Sequence, residues 1–475
     1  MLVSRAMRQL TSSVFATTFL AALLAFAATV HSAEGQRQVL PYQQFVLPNG
    51  LEVLVHEDHS VPLVAVELFY HVGSKDELPG KTGFAHLFEH LMFKGSRNVA
   101  DGEHFKAVLE AGGNCNATTS RDRTNYFEVL PSSFLSRALF LEADRMSHLL
   151  DGLTQKSLDN QRDVVRNERR QNYENRPYGS SVKALSEALY PPGHPYHWLT
   201  IGVHEDLERA SLDDVRTFFR TYYRPGNATL AIAGDVDLAT ARKLVEEHFG
   251  NIPSDPRNPS KTPSSQRTVR PPALAIQKLS AEKRVTLTDA VSLERLTLAW
   301  PSPAAFEPGD ADLDLLTSVL GPSSGRLHKS LVHEAQIAQN VSIGQSSALL
   351  GSHFEITVTI KPGHTADEVV ALIDEELAKI IDGRSPITTG EVDEARTRTE
   401  SDLLYEVMSI GGSHGGRTAR LLYYDYLARD PGFMERDLDR YRSITPASVT
   451  DALRKLGGGR VRLLVKPKQQ QELPR

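Results

Sequence analysis

His86-Leu87-Phe88-Glu89-His90 places two imidazoles and a carboxylate within five consecutive residues. On an α-helix, residues four apart stand one turn above each other on one face, so His86 and His90 can reach a single cation through neutral ring nitrogens. Glu89 projects beside them and stays free to act on a water molecule there. If the cation is Zn2+, the chemistry that follows is hydrolysis. Two surface histidines and an acid would show the same spacing, so the reading needs a helix to carry the run and a further ligand to complete it.

The flanks predict that helix. Gly83-Phe84-Ala85 leads in, Leu87, Phe88, Leu91, Met92 and Phe93 supply an apolar side, and Lys94-Gly95-Ser96 ends the segment with a glycine stop. Catalytic zinc usually takes three protein ligands and keeps one position open, so one more carboxylate or imidazole must come from elsewhere. Glu168 is the best candidate. It lies in a polar helical run, 160–176, where Val164, Val165, Glu168 and Asn172 share a face by helical spacing. Asp163 and Glu174 compete with it, and the same run reads equally as a solvated helix whose acids pair with its arginines.

The remaining sequence describes what must hold these groups. At 475 residues the chain exceeds what one core organises, and 40% hydrophobic with 24% charged residues is ordinary for a globular protein. A net charge of -6 without a Lys/Arg block argues against a nucleic-acid partner. Arg5 and Arg8, followed by an uncharged apolar stretch over 19–28, predict a signal peptide over 1–33 and export to a bacterial periplasm or beyond. A mitochondrial presequence, leading to the matrix, is the alternative, because the segment lacks acids. The apolar stretch is too short to span a membrane permanently. Cys115 is the only cysteine, so no internal disulfide forms and any metal rests on histidine and carboxylate.

Alternating residues predict a hairpin over 44–57 with its turn at Pro48-Asn49-Gly50, a strand over 63–72, and an antiparallel pair formed by 114–119 and 126–130 around Arg121-Asp122-Arg123. Helical periodicity runs from 131 to 173 in two stretches that break near Gly152, and a buried strand, 228–233, precedes a helix over 238–249. Residues 253–272 are rich in Pro, Ser and basic residues and predict a linker. Beyond it, strand-like 284–300, helical 308–320, strand-like 351–360 and helical 364–381 repeat the earlier order. The expected architecture is two related α+β halves, 34–252 and 273–475.

Gly83 to Gly95, read as GFAHLFEHLMFKG, resembles the M16 metallopeptidases, the inverted-motif H-x-x-E-H zinc peptidases of the pitrilysin and mitochondrial processing peptidase type. Val164-Val165-Arg166-Asn167-Glu168 is similar to the segment that carries the third ligand of that family. The resemblance implies an endopeptidase with one Zn2+ per chain on His86, His90 and Glu168, and with Glu89 as the base. It also implies two domains, each a mainly antiparallel sheet with helices packed on it. Gly112-Gly113 and the residues after them resemble the family's substrate edge strand. Asn114, Cys115, Asn116, Ala117, Thr118 and Thr119 would then hold a peptide or an unfolded segment by main-chain pairing. Without the resemblance this strand reads as a plain hairpin edge.

Two positions depart from the family pattern. Gln161 stands seven residues before Glu168, where many members carry a second-shell glutamate. Gly325-Arg326-Leu327 begins the segment in which active single-chain members place an Arg and a Tyr seven apart to grip substrate, and here those positions hold Val332 and Gln339. The resemblance therefore implies the zinc-bearing member of a heterodimer, with a related subunit that lacks the zinc motif. The alternatives are a noncatalytic scaffold subunit and a substitute pair, Arg417 and Tyr424, at the same spacing. His194-Pro195-Tyr196-His197 reads as a structural loop, and His328 and His333 read as surface residues.

Overall fold

Gly50, at a φ of +91°, lets the chain reverse between Gln43–Val46 (β1) and Glu52–Glu57 (β2), which pair antiparallel. The structure, a computed structural model, describes residues 39–254, 278–412 and 415–468. The expected leader, 1–33, and all but two residues of the expected linker, 253–272, lie outside the described residues. From Tyr42 onward the chain forms one compact unit built on two sheets.

The first sheet adds Leu63–Tyr70 (β3), Asn114–Thr119 (β4), Thr124–Pro131 (β5) and Ala228–Gly234 (β6), in the order β1-β2-β6-β3-β5-β4. β2 and β6 run parallel, and the other pairs are antiparallel. β4 is therefore an edge strand. Alternation sends Val64, Val66 and Leu68 of β3 to one face, where Leu87, Phe88 and Leu91 of helix α1 (Phe84–Leu91) join the core. Glu103–Glu110 (α2) leads into β4, and Leu135–Gly152 (α3) follows β5 and adds Leu139 and Met146 to that core. Gln155–Arg169 (α4) then continues as one wider π-type turn, Arg170–Glu174. Ser180–Leu189 (α5), His204–Arg209 (α6), Leu212–Tyr222 (α7) and Leu238–Phe249 (α8) complete this half.

The second sheet comprises Lys283–Asp289 (β7), Arg295–Ser302 (β8), Ala338–Ser346 (β9), Ser352–Ile360 (β10) and Val461–Pro467 (β11), in the order β7-β11-β8-β10-β9. The stretch 284–300, expected as one strand, is two. The Asp289 carboxylate accepts the Ala290 N–H at 2.7 Å and turns the chain, and β11 then inserts between β7 and β8. β9, with little alternation in its sequence, was not expected. Asp310–Leu320 (α9), Ala366–Ile381 (α10), Thr389–Glu406 (α11), Arg417–Ala428 (α12), Met434–Arg442 (α13) and Pro446–Leu456 (α14) follow in this half. Leu315 of α9, Val369 of α10 and Val449 of α14 pack with Leu298 and Ile356 of the sheet.

α12 joins the halves by packing on the other face of the first sheet, where Tyr426 stacks on His71 at 5.1 Å and Thr229 donates to Asp425 at 3.0 Å. Glu67 of β3 is fully buried there and accepts from Asn125 at 2.6 Å and from Thr418 at 2.7 Å. Burial pushes its carboxyl up to about 7. Because the folded value is raised, the stabilisation from the protonated form is complete below the unfolded value of about 4.3 and is lost as pH rises through about 7. Glu67→Gln is thus expected to stabilise the protein at pH 8 relative to pH 5, by up to about 3 kcal/mol. Unfolding midpoints of both proteins at the two pH values check this, and equal pH dependence would refute it.

Candidate metal centre

α1 is held from its N-terminus. The buried Glu77 carboxyl accepts the N–H groups of Gly83 at 3.0 Å and Ala85 at 2.8 Å and so caps the unpaired donors at the start of the helix, while burial raises its carboxyl well above the ordinary range. Gly83 adopts a φ of +87°, and a Cβ there would lie 2.8 Å from the Ile201 carbonyl oxygen. Phe88 stacks on Tyr223 at 5.0 Å and on Phe218 at 5.1 Å, which fixes the rotation of the helix about its axis. His86, Glu89 and His90 consequently share its half-buried side.

α4 lies beside α1. Thr154 caps its start, and Leu158 and Val165 anchor it in the core. At its end Arg169 donates to the carbonyl of Gly202, and Gly202 is pressed against Thr82 and Gly83 at the start of α1. This brings Glu168 Oε2 to 3.6 Å from His86 Nε2 and 3.4 Å from His90 Nε2. The competing acids are engaged elsewhere. Asp163 pairs with Arg166 in solvent, and Glu174 accepts from Arg169 at 3.0 Å and His204 at 2.8 Å. The face expected from helical spacing divides: Val165 enters the core, whereas Val164 is exposed beside Glu168, and Asn172 donates to Glu168 at 3.3 Å from the wider turn.

The donor set fits a divalent transition metal. The ligand atoms of His86, His90 and Glu168 all lie within 4.8 Å of one another. A tetrahedral site with bonds of about 2.0–2.1 Å has edges of about 3.3–3.4 Å, close to the two separations to Glu168. Burial, then the neighbouring His90, pushes His86 down to about 4, so its ring is neutral at pH 7, as a ligand requires. The hydrogen bond with His90 is the main cause holding the Glu168 carboxyl below its usual range.

Glu89 stands outside this set of ligands. Its Oε2 accepts the Thr119 hydroxyl at 2.6 Å, and burial raises its carboxyl. β4 runs beside α1 with its outer edge free of any strand among the described residues. Asn114, Asn116 and Thr118 are exposed, whereas Cys115, Ala117 and Thr119 alternate toward the helix side. Cys115 is half-buried, and burial pushes its thiol up to about 12, so it is inert as a nucleophile at neutral pH. Gln161 is buried and donates to Asn160 at 2.8 Å. It meets the site by lining a cavity of about 280 Å3 together with Glu89, His90, Phe93, Phe105 and Asn116.

Glu77, the bond between Thr119 and Glu89, and the Phe93/Phe105 cavity have no spacing signal in the sequence. A second cluster, His104, Glu128 and Glu142, is wholly buried, but the Glu142 carboxylate is already paired with the Arg145 guanidinium, which lies 4.2 Å from the Tyr126 ring centre. The expected loop behaves as one: His194 accepts the Tyr196 N–H at 3.0 Å, and His197 is 2.7 Å from the Tyr190 carbonyl oxygen. Arg417 and Tyr424 do not form a substrate-gripping pair. Arg417 is paired with Asp58, and Tyr424 is fully buried and donates to Asp437 at 2.8 Å.

Comparison with known proteins identifies the family. The family described as Insulinase (Peptidase family M16) matches residues 52–193, and Peptidase M16 inactive domain matches 209–399. The zinc protease PqqE of Helicobacter pylori is 29% identical over 438 residues, covering 91% of this chain and 92% of that one. A probable mitochondrial-processing peptidase subunit beta of Arabidopsis thaliana is 24% identical, covering 63% of this chain and 54% of that one. Among solved structures, a protease from Helicobacter pylori superposes with a TM-score of 0.80 at 26% identity, covering 90% of this chain and all of that one. With both M16 domain types matched in order and a fold shared with the solved protease from Helicobacter pylori, the chain belongs to the M16 peptidase family.

Proposed function

We propose that this protein is a zinc-dependent endopeptidase that hydrolyses peptides or unfolded polypeptide segments, acting as the catalytic subunit of a heterodimer. The observation that carries the reading is the convergence of His86, His90 and Glu168, with Glu89 beside them and the open edge of β4 alongside. His86, His90 and Glu168 would hold one Zn2+, which when bound supplies a Lewis acid for the peptide carbonyl and its attacking water. Glu89 takes the proton of that water and later delivers it to the leaving amine. The edge of β4, Asn114–Thr119, holds the substrate extended through main-chain hydrogen bonds. Such pairing is tolerant of side chains, so selectivity falls to the cavity lined by Phe93 and Phe105, which suits an apolar or aromatic residue. Gln161 lines the same cavity and would tune the site by hydrogen bonding without charge.

The heterodimer reading rests on Val332, which packs against the second core, and exposed Gln339, which stand where a guanidinium and a phenol would be expected. That one relative is named as a subunit supports the same reading. Export to a periplasm follows from residues 1–33, and among the described residues no helix is long and apolar enough to cross a membrane.

Metal analysis of Glu168→Gln tests the centre. The purified wild-type chain should carry about one zinc and hydrolyse an unstructured polypeptide with its partner present, whereas the variant loses most of both, because removing one of only three protein ligands weakens metal binding sharply. Absence of stoichiometric zinc from the wild-type chain would leave the scaffold reading standing instead.

A further inference from the structure

Thr119, the last residue of β4, pairs with Thr124 of β5, donates its hydroxyl to Glu89 and leads directly into the following turn. Ser120 N–H bonds to the Arg123 carbonyl at 2.8 Å, and the Ser120 hydroxyl accepts the N–H groups of Asp122 and Arg123, both at 3.1 Å. The turn is thus stiff, and only Ser120 and Arg121 separate Thr119 from Asp122.

Asp122 is buried and is held from both halves: its carbonyl accepts the Lys75 ammonium of the N-terminal half at 3.0 Å, and further partners come from the C-terminal half. Its Oδ2 accepts the Leu349 N–H at 3.0 Å, and its Oδ1 accepts the Tyr196 hydroxyl at 2.5 Å, which in turn accepts the Leu350 N–H at 3.0 Å. Its carbonyl accepts the Tyr426 hydroxyl at 2.9 Å. Hydrogen bonds from β10's leading loop and α12 to Asp122, the covalent backbone of the β4–β5 turn, and the Thr119 hydroxyl therefore link the C-terminal half to the carboxylate beside the metal centre. The three ligand residues lie outside this link.

We propose that Asp122 and Thr119 are positioning residues through which the C-terminal half sets the rotamer of Glu89, so that this half is needed for hydrolysis and not for holding metal. The proposal rests on the peptidase reading for its kinetic consequence and on geometry for its structural one. A carboxylate on the flank of a helix has several staggered positions, and one strong hydrogen bond selects among them.

The test uses crystal structures and kinetics of the zinc-loaded full chain with its partner, for Thr119→Val, Thr119→Ser, Asp122→Ala and Thr229→Val. The last removes the bonds of Thr229 to Asp425 and His71 at the same interface and leaves every direct partner of Asp122 in place. Glu89 is expected to leave its position in Thr119→Val and Asp122→Ala, with kcat reduced about tenfold or more, zinc content unchanged and, for Thr119→Val, KM within about twofold. Thr119→Ser restores both position and rate, and Thr229→Val retains them. Asp122→Asn, which keeps the size of the side chain, serves in place of Asp122→Ala if that variant does not fold. An unmoved Glu89 in Thr119→Val and the Asp122 variant, or an equal loss of kcat in Thr229→Val, overturns the proposal. If the wild-type protein hydrolyses nothing, the peptidase reading fails, and the crystallographic comparison still decides the positioning.

Discussion

Glu89→Gln is expected to abolish peptide hydrolysis, with a loss on the order of 10³-fold, while zinc content stays at about one per chain. The amide has the shape of the carboxylate and keeps an oxygen that can accept the Thr119 hydroxyl, now 2.6 Å from Oε2. What it loses is the ability to take a proton from water and return it to the leaving nitrogen. Because Glu89 stands outside the set formed by His86, His90 and Glu168, the metal should be retained. Steady-state hydrolysis and metal analysis on the same preparation separate the two effects. Hydrolysis that survives the change would remove Glu89 from the mechanism, and zinc lost with it would make Glu89 a ligand.

α1, α3, α4 and the strands of the first sheet were legible because their apolar periods are regular and their ends carry glycine or capping side chains. The start of α4 at Thr154 and the reversal at Gly50 are of this kind. The site itself was only half legible. Helical spacing could put His86 and His90 on one face, but it could not say that α4 folds back on α1. That contact is made over distance by Arg169 at Gly202 and by the packing of Gly202 on Gly83. The resemblance, rather than the periodicity, selected Glu168 over Asp163 and Glu174. Spacing misled at Arg417 and Tyr424: seven residues define a common helix face, yet nothing local tells whether that face meets solvent or, as for Tyr424, the core. The strand 284–300 was misread for a similar reason, since the partner that separates β7 from β8 is β11, more than a hundred residues later.

Adding the related subunit that carries the Arg and Tyr is expected to raise kcat/KM of this chain by about 10²–10³-fold, the range lost when a carbonyl-stabilising donor is removed. Among the described residues nothing replaces the pair at the expected place. Val332 packs into the second core, Gln339 is exposed on β9, and the nearby Arg326 is tied to Glu391 at 2.7 Å and to the carbonyl of Pro386 at 2.7 Å. Arg417 and Tyr424 are occupied by Asp58 and Asp437. On the proposed reading the chain supplies a base, a ligand set and a substrate edge, while the residues at the two expected positions supply neither a guanidinium nor a phenol for the carbonyl as charge develops on it. Hydrolysis measured with the chain alone, with the partner, and with a partner whose Arg and Tyr are replaced by Ala and Phe distinguishes donated groups from simple stabilisation. The substituted partner should bind as tightly and restore little activity. If the lone chain already matched the pair, its own residues would suffice and the heterodimer would have to serve something other than catalysis.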